Sequence, residues 1–386
     1  MTGLPMKRRI AAVTSSRADF SHLYWPLREL AAHPEIDLKI VAIGPHLSPE
    51  FGHTAGEIEK AGFHIDARIE CLLSSDTDVG MAKTIGVAAL GLADCLGQMR
   101  PDLLLLIADR YEMLAPASVA LALRIPIAHI EGGEISEGAI DDAVRNALTK
   151  LSHVHFTSTE QARGRVIAMG EEAWRVHRAG APSLDHLRRS TLVDVLAAKP
   201  AVLVAYHPTT IARDTICEAD AVFAALESIS GQLLFCYPNA DAGSRALIAR
   251  AREFLDRRGN GQVLVNLDPI AYWSLLRSAN LLLGNSSSGI MEAASFAIPA
   301  VNVGIRQRGR EHGRNVLDAD ATVESILACV ATANDAGFRA SLAGMDNPYG
   351  DGHAAERIAA VLASIPLGEE LLIKRAPPTV SPGAEQ

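Results

Sequence analysis

The sequence predicts an α/β protein built from two doubly wound, Rossmann-like domains. Short apolar runs alternate with longer helical patterns, which is typical of βαβ units and a parallel sheet. The alternation restarts after about residue 180, which indicates a second sheet. Ligands of such folds bind beyond the carboxyl ends of the strands, so the cleft between the two domains is the expected active site.

The first domain is predicted to span residues 1–180. Its strands are short apolar runs, at Arg9–Thr14, Asp37–Ile43, Asp102–Ile107, Ile125–Ile130 and His153–Thr157. Helical patterns cover Ser21–His33 and Lys83–Met99. The apolar segment Met81–Leu96 suits a core helix and a subunit interface equally well. The apolar run near the N-terminus is too short for a secretory or membrane segment and is interpreted as the first strand.

The second domain is predicted to span residues 181–349. After a helical pattern at Leu184–Ala198 its strands are expected at Ala201–Tyr206, Gln232–Cys236, Val263–Leu267, Leu281–Gly284 and Ala300–Val303. A helix within about 350–366 is expected to pack back on the first domain. Residues 367–386 end in a stretch rich in Pro, Ser and Gly and are expected to be disordered.

Composition narrows the classes of partner and the compartment. The chain has 386 residues and a net charge of −9, which argues against a nucleic-acid partner because phosphate backbones are bound by clustered Lys and Arg. The five cysteines are scattered and never spaced as CxxC, so a zinc site or disulfide framework is not expected. We therefore expect a cytoplasmic protein that does not enter a membrane.

A serine-rich turn is the strongest local signal for ligand binding. The strand Leu281–Gly284 runs into Asn285 and three serines, of which Ser286 and Ser287 come first. Backbone N–H groups and serine hydroxyls together suit a diphosphate, and Glu292 could accept hydrogen bonds from a ribose. A plain serine helix cap is the alternative. Arg306 and Arg310 follow the next strand and are either further diphosphate contacts or solvated side chains.

Charged side chains follow three strands of the first domain. They are Arg17 and Asp19 after the first strand, Asp109 and Arg110 after the third, and Glu131 after the next. Charges at strand ends are costly unless they are exposed or paired, and their recurrence favours a site. The turn after the first strand lacks the GxGxxG glycines, so a nicotinamide fingerprint is absent.

Other polar positions allow both a functional and a purely structural interpretation. Asp141 and Asp142, near Arg145, stand at a helix start, where acidic residues are favoured anyway. His207 ends the first strand of the second domain and could donate to a phosphate or act as an acid–base group, although a lone His is more often structural. Asn239 follows the next strand and could bind the ligand or satisfy a turn.

Taken together, these segments resemble the UDP-N-acetylglucosamine 2-epimerase family, in particular its hydrolysing bacterial branch. The resemblance extends from about residue 9 to 320 and rests on the stretches SSRADF, ADRYE, HIEGGEISEGAIDDAVRNALTKLSH, HPTT, YPNADAGSR and GNSSSGIMEAASFAIPAVNVGIRQRGRE. It implies a glycosyltransferase-B type fold, a nucleotide-sugar substrate, a homo-oligomer, and no cofactor or metal.

The resemblance also implies roles for individual residues. Those expected to act in catalysis are Asp19, Asp109, Glu131 and His207. Those expected to bind UDP are Arg17, Ala18, Arg110, Asn239, Ser286, Ser287, Glu292 and Arg306. Those expected near the sugar are His46, Asp141 and Asp142. Which carboxylate is the base and which the acid stays open.

The implied reaction converts UDP-N-acetylglucosamine and water to N-acetylmannosamine and UDP, through loss of UDP to give a glycal that water then attacks. The same chemistry on a UDP- or GDP-linked diacetamido-trideoxy sugar, as in legionaminate synthesis, is the nearest alternative. A non-hydrolysing epimerase and a glycosyltransferase are further alternatives within enzymes. A nucleotide-sugar sensor without turnover is the alternative from another class.

Overall fold

The structure, a computed structural model, describes residues 7–73, 77–135, 140–193, 201–207, 215–237, 244–265 and 267–376. The chain divides into two compact units. Unit 1 comprises Met1–Asp185 and Gly352–Gln386, and unit 2 comprises His186–Asp351. Both are built around an all-parallel sheet, as the alternating apolar runs predicted.

In unit 1 the strand order is β3-β2-β1-β4-β5-β6-β7. The strands are β1 (Arg8–Thr14), β2 (Ile36–Ile43), β3 (Ala67–Ile69), β4 (Leu103–Ile107), β5 (Ile127–Ile130), β6 (Val154–Thr157) and β7 (Val176–Arg178). The helices are α1 (Arg17–Ala32), α2 (Ala55–Lys60), α3 (Asp78–Met99), α4 (Leu114–Ala122), α5 (Ile140–Leu151), α6 (Glu160–Ala168) and α7 (Pro182–Arg189), the last of which continues into unit 2.

In unit 2 the order β10-β9-β8-β11-β12-β13 is that of a dinucleotide-binding domain. The strands are β8 (Ala201–Ala205), β9 (Gln232–Tyr237), β10 (Gly261–Val265), β11 (Leu281–Gly284), β12 (Ala300–Val303) and β13 (Val316–Ala319). The helices are α8 (Thr215–Ser228), α9 (Ser244–Arg258), α10 (Pro269–Ser278), α11 (Ser287–Ile290), α12 (Glu292–Ser295), α13 (Val323–Asn334) and α14 (Ala336–Ser341). The chain then returns to unit 1 with α15 (Ala354–Ser364) and α16 (Glu369–Leu372).

The alternation of side chains along the strands places a separate apolar core on each face of the unit 1 sheet. Ile10 and Leu105 pack with α1 and α15 on one face, whereas Ala11 and Leu104 pack with α3 and α4 on the other. Fully burying one such leucine contributes about 1.5–3 kcal/mol. Strands buried on both faces explain why the apolar runs are continuous.

Helix α3 is long and apolar enough to cross a membrane by length and composition, a test that core helices of soluble proteins also pass. One face of α3, which includes Ala88, Leu92 and Leu96, is buried in the core, while Leu90 on the other face is 75% exposed. The role of this segment in a subunit interface stays a prediction.

The chain after α15 differs from the expected disordered tail. Residues 367–376 include α16, and the buried Arg175 guanidinium donates to the carbonyl oxygens of Glu370, Leu371 and Ile373. Lys374 donates to the Glu171 carboxylate, 2.7 Å away. We call residues 367–376 the strap. Hydrogen bonds and an ion pair with distant residues, Arg175 and Glu171, hold it in place, and local composition does not reveal such contacts. The rest of the predicted tail, 377–386, lies outside the described residues.

Strands β3, β7 and β13, which the sequence did not predict, lie at sheet edges and are three or four residues long. Exposed positions interrupt all three, so none is the continuous apolar run that identified most of the other strands. Helix α1 begins earlier than predicted, at Arg17, because the Ser16 side chain caps it. The predicted helix Leu184–Ala198 is shorter, since α7 ends at Arg189; residues 194–200 lie outside the described part of the chain.

Candidate active site

In unit 1 the strand order reverses between β1 and β4, which is where doubly wound sheets bind ligands. The segments that follow these two strands carry Arg17 and Asp19, in the first turn of α1, and Asp109 and Arg110. The turn after β5, the next strand, carries Glu131. The sheet topology therefore brings the predicted strand-end residues of this unit to the same side of the sheet, where the carboxyl ends of its strands meet.

Asp19 is built into the start of α1. Its Oδ2 accepts hydrogen bonds from the Ser15 hydroxyl at 2.7 Å and from the backbone N–H groups of Ser15 and Ser16, both at 3.1 Å. The Ser16 hydroxyl in turn accepts from the Asp19 N–H, completing a capping box. Asp19 is thus buried and engaged in shaping the turn. Arg17 and Ala18, by contrast, are exposed, and Arg17 lies 3.5 Å from the Glu57 carboxylate.

His46 lies behind this turn rather than open to solvent. Its ring nitrogens contact the hydroxyl oxygens of Thr14, at 2.9 Å, and Thr54, at 2.8 Å, and its side chain is fully buried. Burial lowers the pKa of His46 to about 4, with Arg110 adding to the effect and Asp19 opposing it. The ring is therefore neutral near pH 7 and, in this arrangement, ties the loop after β2 to β1.

Asp109 belongs to a charged cluster at the end of β4. Its Oδ2 accepts a hydrogen bond from the Arg145 guanidinium, which is 3% exposed and also donates to the Glu134 carbonyl oxygen at 3.0 Å. Arg145 Nη1 lies 3.6 Å from the Asp142 carboxylate. Burial raises the pKa of Asp109, Arg145 opposes this, and the negative charges of Asp141 and Glu131 add to it. Arg145 is therefore a buried cation that lies between the carboxyl groups of Asp109 and Asp142.

Glu131 follows β5 in a conformation that is unusual for a side chain of its size. Its φ is +66°, in the left-handed region, and the φ of Ala108, after the neighbouring β4, is +60°. Non-glycine residues hold such backbone only where the surroundings fix it, and they cluster at functional sites. The His22 Nδ1 lies 2.9 Å from Glu131 Oε1, so α1 reaches this carboxylate from the other side of β4.

Arg110 pairs with a buried carboxylate of its own turn. Its Nη2 donates to Glu112 Oε1 at 2.8 Å, and the Glu112 side chain is fully buried. Desolvation opposes the charge of Arg110, but Glu112 outweighs it and the pKa of Arg110 is raised. The Arg110 side chain is about one-third exposed, so it can still reach an anion.

The two glycines of the HIEGGE segment allow close packing. A Cβ on Gly133, whose φ is +79°, would lie 2.3 Å from the Ala162 carbonyl oxygen, and one on Gly132 would lie 3.0 Å from the Thr149 hydroxyl.

His129 is fully buried within β5, and its Nε2 contacts the Ala108 carbonyl oxygen at 2.8 Å. Burial lowers the pKa of His129 to about 4, so this histidine is a neutral structural group.

In unit 2 the strand order reverses between β8 and β11, and Asn285 joins the turns that follow them. Its side-chain oxygen accepts from the His207 N–H at 2.7 Å, and its side-chain nitrogen donates to the His207 carbonyl oxygen at 2.8 Å. A Cβ on the preceding Gly284 would lie 2.1 Å from the Ala205 carbonyl oxygen. Only glycine allows this approach, which brings His207 beside the serine turn.

The serine turn is organised by its own hydroxyls. Ser286 caps α11 by accepting from the Ser288 N–H, and the Ser288 hydroxyl donates to Ser286 Oγ at 3.1 Å. The Tyr272 hydroxyl is hydrogen-bonded to the Ser288 hydroxyl. Ser286 and Ser287 are half-buried, so both can meet a ligand. The plain capping role and a binding role are therefore compatible at this turn.

A cavity of about 270 Å³ opens beside this turn, within unit 2. Its walls carry aromatic and apolar side chains together with His207 and polar groups of the serine turn, and the lining residues include Tyr237, Leu267, Pro269, Tyr272, Trp273, Ser286, Ser288 and Glu292. Burial raises the pKa of Tyr272 strongly, so its hydroxyl keeps its proton at neutral pH. Apolar walls with a few polar groups are typical of a small-molecule site.

Arg306 is exposed and donates from Nη1 to the Asn285 carbonyl oxygen at 2.8 Å. Gln307, which is buried, donates to the same oxygen at 2.9 Å. The loop after β12 thus meets the serine turn, as the predicted role of Arg306 requires. Asn239 lies outside the described residues, as do Pro208–Thr210 of the HPTT segment.

Three contacts beyond the strand ends, two in unit 1 and one in unit 2, were not predicted from the sequence. They involve His22, the cation Arg145 as the centre of the acidic cluster, and Asn285 as the link between two turns. His22 lies in an ordinary helical pattern, and nothing local points to it. Arg145 and Asn285 lie within the motif segments identified above. A charged or amide side chain inside such a segment was the only sequence signal for them.

The profile of the family described as UDP-N-acetylglucosamine 2-epimerase matches residues 28–363. The chain is 37% identical over 96% of its length to a UDP-N,N'-diacetylbacillosamine 2-epimerase (hydrolyzing) of Legionella pneumophila, of which 99% is covered. It is 34% identical over 81% of its length to a GDP/UDP-N,N'-diacetylbacillosamine 2-epimerase (hydrolyzing) of Campylobacter jejuni, of which 85% is covered. A UDP-N-acetylglucosamine 2-epimerase of Neisseria meningitidis is 30% identical, over 84% of this chain and 87% of that protein.

Solved structures share the fold. The UDP-GlcNAc 2-epimerase from Neisseria meningitidis bound to UDP-GlcNAc superposes with a TM-score of 0.73 at 17% identity, over 92% of this chain and 99% of that one. A glycosyltransferase of kitacinnamycin also matches, with a TM-score of 0.60 at 16% identity over 93% and 99% of the two chains. These matches confirm the predicted glycosyltransferase-B type fold, and the profile and relatives confirm the resemblance found in the motifs: the chain belongs to the UDP-N-acetylglucosamine 2-epimerase family.

Proposed function

We propose that the protein is a hydrolysing 2-epimerase of a UDP-linked N-acetylated amino sugar. The observation that carries the proposal is the set of acidic side chains at the strand ends of unit 1, in which Asp109 pairs with Arg145 and Glu131 with His22. Removing a proton from carbon 2 and returning one on the other face requires acid–base groups of this kind. Two relatives that are 37% and 34% identical are named as hydrolysing 2-epimerases, which supports the hydrolysing mode of the proposed reaction.

The cavity of unit 2 is proposed to hold the uridine. Its aromatic and apolar walls suit a base, and Glu292 at the start of α12 suits a ribose, because a carboxylate can accept hydrogen bonds from both hydroxyls. Ser286, Ser287 and His207 line the adjacent turn and suit the diphosphate, with Asn239 as a further proposed contact. Three arginines that are at least partly exposed are proposed to stabilise the charge of the departing UDP: Arg17, Arg110 and Arg306. Ala18, next to Arg17, is proposed to contact UDP as well.

Two carboxylates with different partners are proposed to divide the proton transfers. Glu131, beside the His22 imidazole, is assigned as the base at carbon 2. Asp109, whose pKa burial raises, is assigned as the acid. Asp141 and Asp142 enter the same cluster through their charges on Asp109 and Arg145. Because Asp19 and His46 are occupied with the turn after β1, we propose that they act by shaping it.

The similarity to the two diacetylbacillosamine enzymes favours UDP-N,N'-diacetylbacillosamine as the substrate. UDP-N-acetylglucosamine is the second candidate, since it is the sugar named for the family and for the relative that is 30% identical. Both candidates share the diphosphate, the ribose and the acetamido group at carbon 2. They differ at carbons 4 and 6, so a direct comparison of the two separates them.

The test is to incubate the protein with each nucleotide sugar in turn and follow the phosphorus and proton NMR spectra. The proposal predicts free UDP and a free sugar of inverted configuration at carbon 2, with faster turnover of UDP-N,N'-diacetylbacillosamine. Release of a UDP-linked epimer would instead identify a non-hydrolysing epimerase. Binding of both sugars without any turnover would leave a sensor.

A further inference from the structure

The contact between His22 and Glu131 joins two segments that the chain separates widely. His22 lies on α1, one turn beyond the capping residue Asp19, whereas Glu131 follows β5. The imidazole Nδ1 lies 2.9 Å from Glu131 Oε1, a distance normal for a strong hydrogen bond. The capping box fixes where α1 begins and therefore the direction in which His22 projects.

Glu131 needs such a contact more than an ordinary surface glutamate. Its side chain is only 13% exposed, and its backbone is held in the left-handed region. The carboxyl groups of Asp109 and Asp141 lie in the same cluster, where Arg145 is already paired with Asp109. An ionised Glu131 therefore gains from a donor on its opposite side.

We infer that His22 is a positioning residue that donates from Nδ1 to the Glu131 carboxylate and fixes the orientation of this proposed base. Since an ionised carboxylate only accepts hydrogen bonds, the contact requires the hydrogen of the ring to be on Nδ1. His22 touches no reacting atom in this assignment. It acts through Glu131, so it affects the chemical step more than binding. The inference rests on the proposed function for its effect on turnover.

The substitutions His22→Leu and His22→Asn separate the hydrogen bond from packing. Asparagine keeps an N–H donor close to the position of Nδ1, whereas leucine removes it. We expect His22→Leu to lower kcat about 10–100-fold with KM and the Kd for UDP within about 3-fold of wild type. His22→Asn should recover most of kcat. His64→Leu, on an exposed histidine of the same unit, is the matched control and should not change kcat.

A second measurement needs no substrate. In nitrogen-15 NMR spectra of the imidazoles, the His22 signal, assigned by its loss in His22→Asn, should show a hydrogen on Nδ1. In Glu131→Ala the ring should shift towards the Nε2–H form. A hydrogen on Nε2 alone in the wild type would overturn the inference even if no tested sugar is turned over. Wild-type kcat in His22→Leu, or an equal loss in both His22 variants, would overturn it when turnover is measurable.

Discussion

The two units share a doubly wound sheet but present different chemistry at the ends of their strands. Unit 1 gathers ionisable groups there, with Asp109, Glu131 and Arg145 in one cluster and the backbone of Glu131 at positive φ. Unit 2 presents hydroxyls, amides and a largely apolar cavity, organised by Asn285 and the serine turn. The comparison teaches that one topology can present charged side chains in one unit and a cavity with a few polar groups in the other, which is why we propose proton transfer for the first and ligand binding for the second.

The largest expected effect tests the chemical half of this comparison. Glu131→Gln removes the proposed base while keeping the size of the side chain, and we expect kcat to fall about 10³-fold or more, within the range for loss of general acid–base catalysis. Steady-state assays of UDP release measure it. The matched change Glu134→Gln, in the same segment, should lower kcat far less, and equal losses in both variants would point to a disturbed loop.

Unit 1 also carries charge at the opposite, amino ends of its strands, and there we expect an effect on stability instead. Glu171 is buried beside His155, Lys150 and Lys374, which lower its pKa from 4.5 to about 2 although burial itself opposes this. A carboxyl with a lowered folded-state pKa stabilises the fold above its unfolded value, and the contribution is lost as the pH falls from about 4.5 towards 2. The shift corresponds to on the order of 3 kcal/mol.

Urea unfolding at pH 7 and at pH 3 checks this expectation. Wild type should lose part of this stability between pH 7 and pH 3, whereas Glu171→Gln should be less stable at pH 7 and show a shallower decline. An unchanged acid dependence in the variant would mean that the network around Glu171 contributes little.

A slightly smaller effect is expected from Arg175, which holds the strap at residues 370–373. Arg175→Met leaves the carbonyl oxygens of Glu370, Leu371 and Ile373 without their charged donor, and we expect a loss of about 2–3 kcal/mol in the free energy of unfolding with kcat unchanged. Deleting residues 368–386 should cost more, because it also removes the contact of Lys374 with Glu171. Combined with Arg175→Met the deletion should cost less than the sum of the two separate losses, because both changes remove the contacts of Arg175 with residues 370–373. Full additivity would contradict this account of the strap.

The smallest effect tests the binding half of the comparison. Glu292→Gln keeps the shape of the cavity wall but weakens the proposed hydrogen bonds to the ribose, so KM should rise about 10-fold with kcat within about 3-fold of wild type. Initial rates over a range of substrate concentrations measure it. A kcat loss as large as that of Glu131→Gln would break the division between the two units.

The sequence predicted the sheets, and the placement of most candidate residues directly after the strands, because buried parallel strands are continuous apolar runs. Strand-end residues such as Asp109 and Ser286 could be identified since they directly follow those runs. It did not predict that His46 is buried between two threonines or that Asp19 closes a capping box, because such contacts depend on packing between segments. The contact of His22 with Glu131 and the strap on Arg175 were hidden for the same reason, since each joins distant parts of the chain.

The division of labour is tested most directly by calorimetric titration of UDP into Glu131→Gln and Glu292→Gln, side by side with wild type. We predict that Glu131→Gln binds UDP within about 3-fold of the wild-type affinity although it barely turns over, and that Glu292→Gln binds about 10-fold more weakly. Wild-type affinity in Glu292→Gln together with a large loss in Glu131→Gln would contradict the assignment of binding to unit 2 and chemistry to unit 1.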